Sequence, residues 1–340
     1  MRTFLLLSLI TVGLSFGLSQ IASAVCVQTG TIPGQGNIIN CPAPIQNSPL
    51  DDTSVPATTN LADEVNIPEG GGLNVGAGRA VDTDDGDDVV TTSGDITGGS
   101  NAIFTGDNDD TIIVNGGTLI GSSSQAIWSD LGADIITING GFVEGDTQAI
   151  FSDGGDDMIT VNAGTLVGKG SQAMFTSGGN DTVIINGGVL DASNTNTQII
   201  FTGGENDTVI LNGGTYLKGG DEVILLGSQN DILTFGGDID LDGSVNCGSD
   251  FDTLVFAMEV PEEAVGFFST KINSADPSGD SVVINDITYE WEFCELLVAD
   301  LNGVRVVRPI PTLSQWGLIA MAGVLGIVGL LAVRRKTISA

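Results

Sequence analysis

The sequence contains no histidine and few basic residues. Its 340 residues include 10 Lys and Arg residues against 43 Asp and Glu residues, which gives a formal net charge of −33 at pH 7. Polyanions attract basic proteins, so nucleic acids and anionic lipid surfaces are not expected as partners of the body of this chain. Cations are more compatible partners, although acidity also serves to keep an exposed protein soluble.

Long apolar runs are confined to the two ends of the sequence. The first run, Phe4–Leu18, follows Arg2 and precedes the small residues Ala-Ser-Ala at 22–24. This layout predicts a secretory signal peptide at residues 1–24 and a mature chain that begins near Val25. A membrane helix is the alternative, but the run is short and no basic cluster follows it.

Cysteine is rare, with four residues in the whole chain. An even number in an exported protein favours disulfides, and proximity along the chain favours the pairs Cys26 with Cys41 and Cys247 with Cys294. Four cysteines allow three connectivities, so the pairing stays open at this point. Their spacing shows no metal-ligand pattern.

The second apolar run, at 318–333, carries no charge and is followed by Arg-Arg-Lys at 334–336. Trp316, just before it, suits a membrane interface. These features predict a transmembrane helix at 317–333 with the basic residues on the cytoplasmic side, so that the body of the chain lies across the membrane. A buried core helix is the alternative, and the Trp and the basic residues argue against it.

The segment before this run reads Ile-Pro-Thr-Leu-Ser-Gln-Trp-Gly over residues 310–317. It resembles the IPTLxxWG signature of IPTL-CTERM sorting domains, in which motif, helix and basic tail follow in that order. The resemblance covers residues 310–336 and implies recognition by an exosortase-like membrane transpeptidase of a Gram-negative bacterium. The motif would be a substrate of that enzyme, and the protein would reach the cell surface, anchored by its C-terminus until processing. The residues that match are Ile310, Pro311, Thr312, Leu313, Trp316 and Gly317.

An internal repeat occupies residues 61–256. Successive copies align on an Asp that precedes a short strand pattern, in which the residues two and four positions later are apolar in nearly every copy. Copies are spaced by 21 to 26 residues. The aligned residues are Asp88, Asp110, Asp134, Asp157, Asp181, Asp207, Asp231 and Asp252.

Each copy continues with two further short strand patterns. Asn-Gly-Gly or a close variant ends the first strand and supplies residues that tolerate positive φ. A second strand follows, and a third begins with Gln-Ala-Ile or a similar triplet. Three strands and three turns in about 24 residues, without a helix, predict an all-β fold, a right-handed parallel β-helix in which each strand pairs with its equivalent one coil on.

Segments without this pattern flank the repeats. Residues 25–60, rich in Pro, Asn and Thr, are predicted to form a secreted, loosely ordered leader with a small disulfide loop. Residues 257–309 are predicted to form a C-terminal cap, with a helical turn at 261–265 and two strands within 281–291, because the exposed end of a solenoid must be covered. The repeat text resembles the β-solenoid regions of autotransporter passengers, and residues 287–291 resemble the end piece that often follows such repeats.

The acidic turns before the aligned strands resemble half of the Gly-Gly-x-Gly-x-Asp nonapeptide of calcium-binding β-rolls. Carboxylates one coil apart would repel each other, and bound calcium would relieve that repulsion. The alternative is that the aspartates cap their own turns. The resemblance offers four calcium ligands, which are Asp110, Asp157, Asp181 and Asp207.

A second candidate calcium site lies at 238–243. Asp238, Asp240 and Asp242, followed by a Gly, match the first half of a linear calcium loop. The position at which such a loop needs a bidentate Glu is Ser249, so a plain strand with one acidic face is the alternative. Calcium is the one candidate cofactor, and the fold does not require it.

A column of aromatic residues precedes the aligned aspartates by six positions. If the Ile or Met before each aromatic residue points inward, the rings form an exposed row able to stack on sugar rings. If the aromatic residues point inward, they belong to the core, and we favour this arrangement because solenoids use aromatic stacks for stability. The column consists of Phe104, Trp128, Phe151, Phe175 and Phe201.

Catalytic residue types are scarce and scattered. Polysaccharide lyases and hydrolases on parallel β-helices need a Lys, Arg or Tyr base with calcium, or a compact group of aspartates. No basic residue lies between Arg79 and Lys169, and the acidic residues are spread evenly along the repeat. The sequence therefore predicts a non-catalytic surface protein with a structural or adhesive role, whose candidate partner is an extracellular polysaccharide or a host or neighbouring cell surface. A carbohydrate-active enzyme on the same scaffold is the alternative.

Overall fold

The computed structural model describes residues 26–32, 36–54, 56–194, 197–217, 221–237, 239, 241, 243–258, 264, 280–284, 287–294, 296–301 and 304–309. The predicted signal peptide, the sorting motif at 310–317 and the predicted membrane helix at 317–333 lie outside the described residues, as does most of the predicted helical turn at 261–265. Within the described ranges, no helix has the length and apolar character needed to cross a membrane.

Short β-strands form three long sheets, named A, B and C. Sheet A contains, in spatial order, β1 (Val27–Thr31), β2 (Asn37–Asn40), β3 (Glu64–Ile67), β6 (Val89–Thr92), β9 (Thr111–Val114), β12 (Ile135–Ile138), β15 (Met158–Val161), β18 (Thr182–Ile185), β21 (Thr208–Leu211), β24 (Ile232–Phe235), β26 (Thr253–Phe256), β29 (Leu296–Leu301) and β30 (Val304–Pro309).

The other two sheets contain the remaining strands. Sheet B contains β22 (Thr215–Leu217), β19 (Val189–Asp191), β16 (Thr165–Gly168), β13 (Phe142–Gly145), β10 (Thr118–Gly121), β7 (Asp95–Gly98) and β4 (Gly72–Asn74). Sheet C contains β27 (Asp280–Ile284), β28 (Ile287–Glu292), β25 (Ser244–Asn246), β23 (Glu222–Gly227), β20 (Ile200–Gly204), β17 (Met174–Gly178), β14 (Ile150–Phe151), β11 (Ile127–Trp128), β8 (Ile103–Phe104) and β5 (Val81–Asp82).

Each coil contributes one strand to each sheet, and equivalent strands of successive coils pair in parallel. Ile136, for example, pairs with Ile112 of the preceding coil and with Ile159 of the following one. The result is an all-β parallel β-solenoid of about nine turns, with coils of about 24 residues. The predicted all-β parallel β-helix and its coil length of about 24 residues are thereby confirmed.

Alternate residues of the strands point into the rod and form its core. In β12, Ile136 and Ile138 are fully buried, while Ile135 and Thr137 face outward. Burial of one such Ile contributes about 1.5 to 3 kcal/mol to stability. Since the same positions are apolar in every coil, the buried side chains form continuous rows along the rod.

The Asn-Gly-Gly motif forms the turn that leads from sheet A to sheet B. The Asn139 side-chain N–H donates to Oδ1 of Asn115 over 2.9 Å, and the same bond recurs between the equivalent residues of later coils. The second Gly of the triplet has positive φ, as at Gly117 (+79°). A Cβ at Gly117 would lie 2.0 Å from the carbonyl oxygen of Gly94, so only glycine fits there.

The N-terminal end of the rod differs from the prediction. Residues 37–50, expected within a loosely ordered leader, belong to the solenoid: β2 pairs in parallel with β3, and Leu50 bridges to Val81. The reason is that Ile39 and Leu50 extend the buried rows of the core. An antiparallel β1–β2 hairpin closes this end of sheet A, and the predicted disulfide between Cys26 and Cys41 is present.

Two antiparallel hairpins form the predicted C-terminal cap. The β27–β28 hairpin extends sheet C through pairing of β28 with β25, and the β29–β30 hairpin extends sheet A through pairing of β29 with β26. The predicted disulfide between Cys247 and Cys294 links the last coil to this cap. Buried Tyr289 and Trp291 pack edge-on against the ring of Phe256, so aromatic contacts cover the end of the core.

Candidate functional site

The aligned aspartates form a buried ladder along the rod. The backbone N–H of Asp134 donates to Oδ1 of Asp157 in the next coil over 2.9 Å, and the N–H of Asp157 donates in turn to Oδ1 of Asp181. The same bond repeats from coil to coil at 2.6 to 2.9 Å. The members, all nearly inaccessible to solvent, are Asp63, Asp88, Asp110, Asp134, Asp157, Asp181, Asp207, Asp231 and Asp252.

A row of buried hydroxyls accompanies this ladder. The residue five positions before the Asp is Ser or Thr in seven coils, and each of these side chains is buried. Most of these hydroxyls donate to a carbonyl of the next coil, as Thr176 does to Thr202 over 2.9 Å. The seven residues are Thr58, Thr83, Thr105, Ser129, Ser152, Thr176 and Thr202.

Burial raises the pKa of the ladder carboxyls well above the usual range for Asp. Desolvation raises the pKa of Asp88 to about 9 and that of Asp110 to about 8, although the neighbouring hydroxyl and the N–H of the preceding coil lower it. The pKa of Asp157 is raised to about 8 for the same reason. At pH 7 these three carboxyls are therefore mainly neutral, which avoids the repulsion that stacked carboxylates would suffer.

The neutral form also completes the hydrogen bonds of the ladder. Oδ2 of Asp110 and of Asp157 is buried and accepts no hydrogen bond of good geometry from the described residues. The hydroxyls of Thr105 and Ser152 lie close enough to these carboxyls to affect their pKa, and the Thr105 proton is directed at a carbonyl. A protonated Oδ2 can donate to the hydroxyl oxygen, so carboxyl, hydroxyl and carbonyl then form one continuous chain of bonds.

The predicted calcium ligands do not converge on one point. Asp110, Asp157, Asp181 and Asp207 occupy one rung each of the buried ladder, and Oδ1 of each carboxyl accepts a backbone N–H. Within the described ranges, no group of three or more Asp, Glu, Cys or His side chains is placed to hold a metal ion. The ladder therefore does not fit a calcium site at these four residues. Asp238, Asp240 and Asp242 lie outside the described residues.

The aromatic column lies on the outer face of sheet C. Trp128, Phe151, Phe175 and Phe201 are partly exposed, whereas the Ile or Met before each of them is fully buried. The favoured interpretation, in which these four rings belong to the core, is therefore wrong. Both Ala126 and Ile127 are buried where the chain enters sheet C, so simple alternation does not hold at this corner.

The aromatic rings cover one another's faces. The centroids of Phe175 and Phe201 are 4.9 Å apart with an interplanar angle of 4°, and those of Phe151 and Phe175 are 5.2 Å apart at 19°. At one end of the row, the Arg79 guanidinium lies 3.1 Å from the Phe104 centroid. Because the rings of Trp128, Phe151, Phe175 and Phe201 stack on one another, the geometry does not favour stacking of sugars on their faces.

Comparison with protein-family models finds a match to the IPTL-CTERM motif over residues 308–335. No curated protein matches the chain, and no solved structure does. The matched motif implies a secreted protein that an exosortase-like enzyme sorts to the cell surface. The chain thus combines a β-solenoid of about nine turns with an IPTL-CTERM motif at residues 308–335.

Proposed function

We propose that this protein is a rod displayed at the surface of a Gram-negative cell, where its role is structural or adhesive. The proposal rests on one observation: the same chain has a sorting motif at 308–335 and a rod whose described ends are closed by hairpins and disulfides. Closed ends prevent end-to-end pairing of displayed rods, because exposed strand edges pair with other chains.

The proposed anchor is the uncharged run at 318–333, which holds the chain in the membrane until the sorting enzyme acts. The basic residues that follow it would stay on the cytoplasmic side, with the rod on the other side. In this proposal a signal peptide at 1–24 starts the export.

We propose no catalytic role for the rod. Its repeated acidic side chains are engaged in the ladder, where burial keeps the pKa values high and backbone N–H groups occupy one oxygen of each carboxyl. Such residues cannot act as a solvent-accessible acid and base pair. Release of reducing sugar from a panel of acidic and neutral polysaccharides by the purified protein would contradict this part of the proposal.

Processing of the C-terminal segment tests the sorting step. In the native host, replacing Pro311 and Thr312 by Ala should leave the tail uncleaved, which intact mass spectrometry of the isolated protein would detect. Ser314 and Gln315 occupy the variable positions of the motif, so their replacement by Ala is the matched control and should leave processing unchanged. Equal processing of both double variants would contradict the proposal.

Calcium stays a proposed ligand of the acidic segment that contains Asp238, Asp240 and Asp242. A cation that binds only the folded state raises the unfolding temperature by mass action. Calcium should therefore raise the unfolding midpoint relative to chelator, and replacing Asp240 and Asp242 by Asn should abolish that rise, whereas Asp157→Asn in the ladder should not. An unchanged midpoint with calcium would contradict the calcium proposal.

A further inference from the structure

Eight successive strands of sheet A share an uncharged outer face. In each of β6, β9, β12, β15, β18, β21, β24 and β26, the first and third residues face outward and the second and fourth are buried. One of the two outward residues is Thr in every strand, and the other is Ile, Val or Met. These side chains are called the uncharged face. Such a face is conspicuous on a chain of net charge −33.

Large apolar side chains of this face are exposed to solvent. Ile135, Met158 and Ile232 have exposed fractions of 45%, 46% and 40%. No described segment of the chain covers them. A contiguous patch of this kind marks an interaction surface, because its removal from water is favourable.

The positions of Thr are complementary between the two ends of the face. Where a strand has Thr as its first residue, the strand at the same distance from the other end has Thr as its third. Thr is the third residue in β6, β12, β15 and β24, and the first residue in β9, β18, β21 and β26. When two copies face each other with their rods antiparallel, β6 opposes β26, β9 opposes β24, β12 opposes β21 and β15 opposes β18. Every Ile, Val or Met then meets a Thr, and large and small facing side chains interdigitate.

Among antiparallel pairs, this complementarity fixes one register. A shift by one coil in one direction sets Met158 against Met158 of the second copy, and a shift in the other direction sets Ile135 against Ile232. Large side chains then oppose each other and smaller ones leave gaps elsewhere, which is unfavourable in a packed interface. A parallel pair in register would also set the aliphatic residue of each strand against the Thr of the same strand in the second copy.

The charged residues along one edge of the face are also compatible with the antiparallel pair. The residue just before the ladder Asp is exposed in all but the last of these coils. It is Asp87, Asp109, Ala133 and Asp156 in the four coils toward the N-terminal end, and Asn180, Asn206, Asn230 and Phe251 in the four toward the C-terminal end. In the antiparallel pair, Asp109 opposes Asn230 and Asp156 opposes Asn180, so no carboxylate of this edge opposes another. A parallel pair reverses the strand direction of the second copy, so this edge would oppose the Asn column at the other edge of the face, and its charges do not distinguish the two orientations.

The face is large enough for a stable interface. It extends over eight coils and, with its flanking Asp and Asn columns, over six residues along each strand. At about 4.8 Å per coil and 3.3 Å per residue, it covers about 750 Å² per copy. Specific protein interfaces bury about 800 Å² per partner.

We propose that two copies of this chain associate antiparallel through the uncharged face. The β29–β30 hairpins then lie at opposite ends of the pair. If the rod is displayed as proposed above, the pair joins copies anchored to two opposing surfaces, and this consequence alone rests on the proposed function.

Sedimentation velocity on the full chain in mild detergent tests the association. The wild type should dimerise at micromolar concentration, and the double variant Ile135→Glu with Ile232→Glu should weaken dimerisation at least tenfold. Leu217→Glu is the matched control, because Leu217 has a similar exposed fraction of 43% but lies on sheet B, and it should dimerise like the wild type. Circular dichroism checks that all three remain folded. A monomeric wild type, or a dimer that the double variant leaves intact, would overturn the proposal.

A charge-pair rescue tests the register. Ile135 opposes Thr208 in the antiparallel pair but Thr137 in a parallel pair, so Thr208→Lys should restore dimerisation of Ile135→Glu to within a few-fold of the wild type. Rescue by Thr137→Lys in place of Thr208→Lys, or by neither, would overturn the antiparallel arrangement. These measurements in solution do not depend on sorting, so a failure of surface display in cells would leave their outcome unaffected.

Discussion

Replacing the buried Asp157 by Asn should make the protein less sensitive to rising pH. Asn has the shape of a neutral carboxyl: its amide oxygen can accept the N–H of Asp134, and its amide nitrogen can donate to the Ser152 hydroxyl. The variant therefore keeps the hydrogen bonds of the protonated Asp157 carboxyl but cannot ionise.

The size of the effect follows from proton linkage. Burial raises the pKa of Asp157 from 3.8 to about 8, so between these values the folded state binds more protons than the unfolded state. Stability is then full below pH 4 and falls as pH rises toward 8, by about 1.4 kcal/mol per pH unit for one such group. Between pH 5 and 7, the wild type should lose about 3 kcal/mol more stability than Asp157→Asn.

Urea unfolding of the full chain at pH 5, 6 and 7, with the disulfides intact, measures this difference. Asp156→Asn is the matched control, since Asp156 is exposed and hydrogen bonds from Asn180 lower its pKa. A carboxyl whose pKa is lowered in the folded state stabilises the protein above its unfolded pKa, and this stabilisation is lost only as pH falls. The stability of Asp156→Asn relative to the wild type should therefore not increase between pH 5 and 7. A constant difference between Asp157→Asn and the wild type from pH 5 to 7 would refute a neutral ladder.

Two further substitutions test the turns and the cap. Gly141→Ala should destabilise the rod by about 1 to 3 kcal/mol in the same urea assay, because Gly141 has φ +90° and a Cβ would lie 2.6 Å from the Gly117 carbonyl oxygen. Gly116 has open space around it, so Gly116→Ala should have little effect. Equal effects of the two substitutions would contradict the turn geometry. Replacing Cys247 and Cys294 by Ser opens a loop with a sequence separation of 47 and should lower the free energy of unfolding by about 4 kcal/mol. A change below about 1 kcal/mol would show that the disulfide adds nothing to the pairing of the cap with the last coil.

The repeat made the solenoid predictable, because a sequence pattern that recurs in every coil permits only one stacking of equivalent strands. Ile112, Ile136 and Ile159 could be assigned to one buried row from their shared position alone, and their pairing confirms it. The β27–β28 strands of the cap followed from the loss of the repeat, and both disulfides were favoured by proximity along the chain, whereas the β29–β30 hairpin was not predicted.

The ladder was harder to predict, because an Asp between a Gly-rich turn and a strand has the composition of a turn. One signal was available: Asp157 has the same parity as the buried Ile159 and Val161, and the Ser or Thr five residues earlier supplies a hydroxyl. The side of the aromatic column could not be deduced, because buried Ala149 and Ile150 are consecutive and alternation fails before Phe151. The first coil was missed because residues 25–60 lack the Asn-Gly-Gly turn that marks the repeat.

Labelling of intact cells tests the central claim most directly. An antibody against the solenoid should label unpermeabilised cells of the native host, and replacing Pro311 and Thr312 by Ala should remove that label while total protein in lysates is unchanged. Labelling only after permeabilisation, or equal surface labelling of the wild type and the motif variant, would contradict the account.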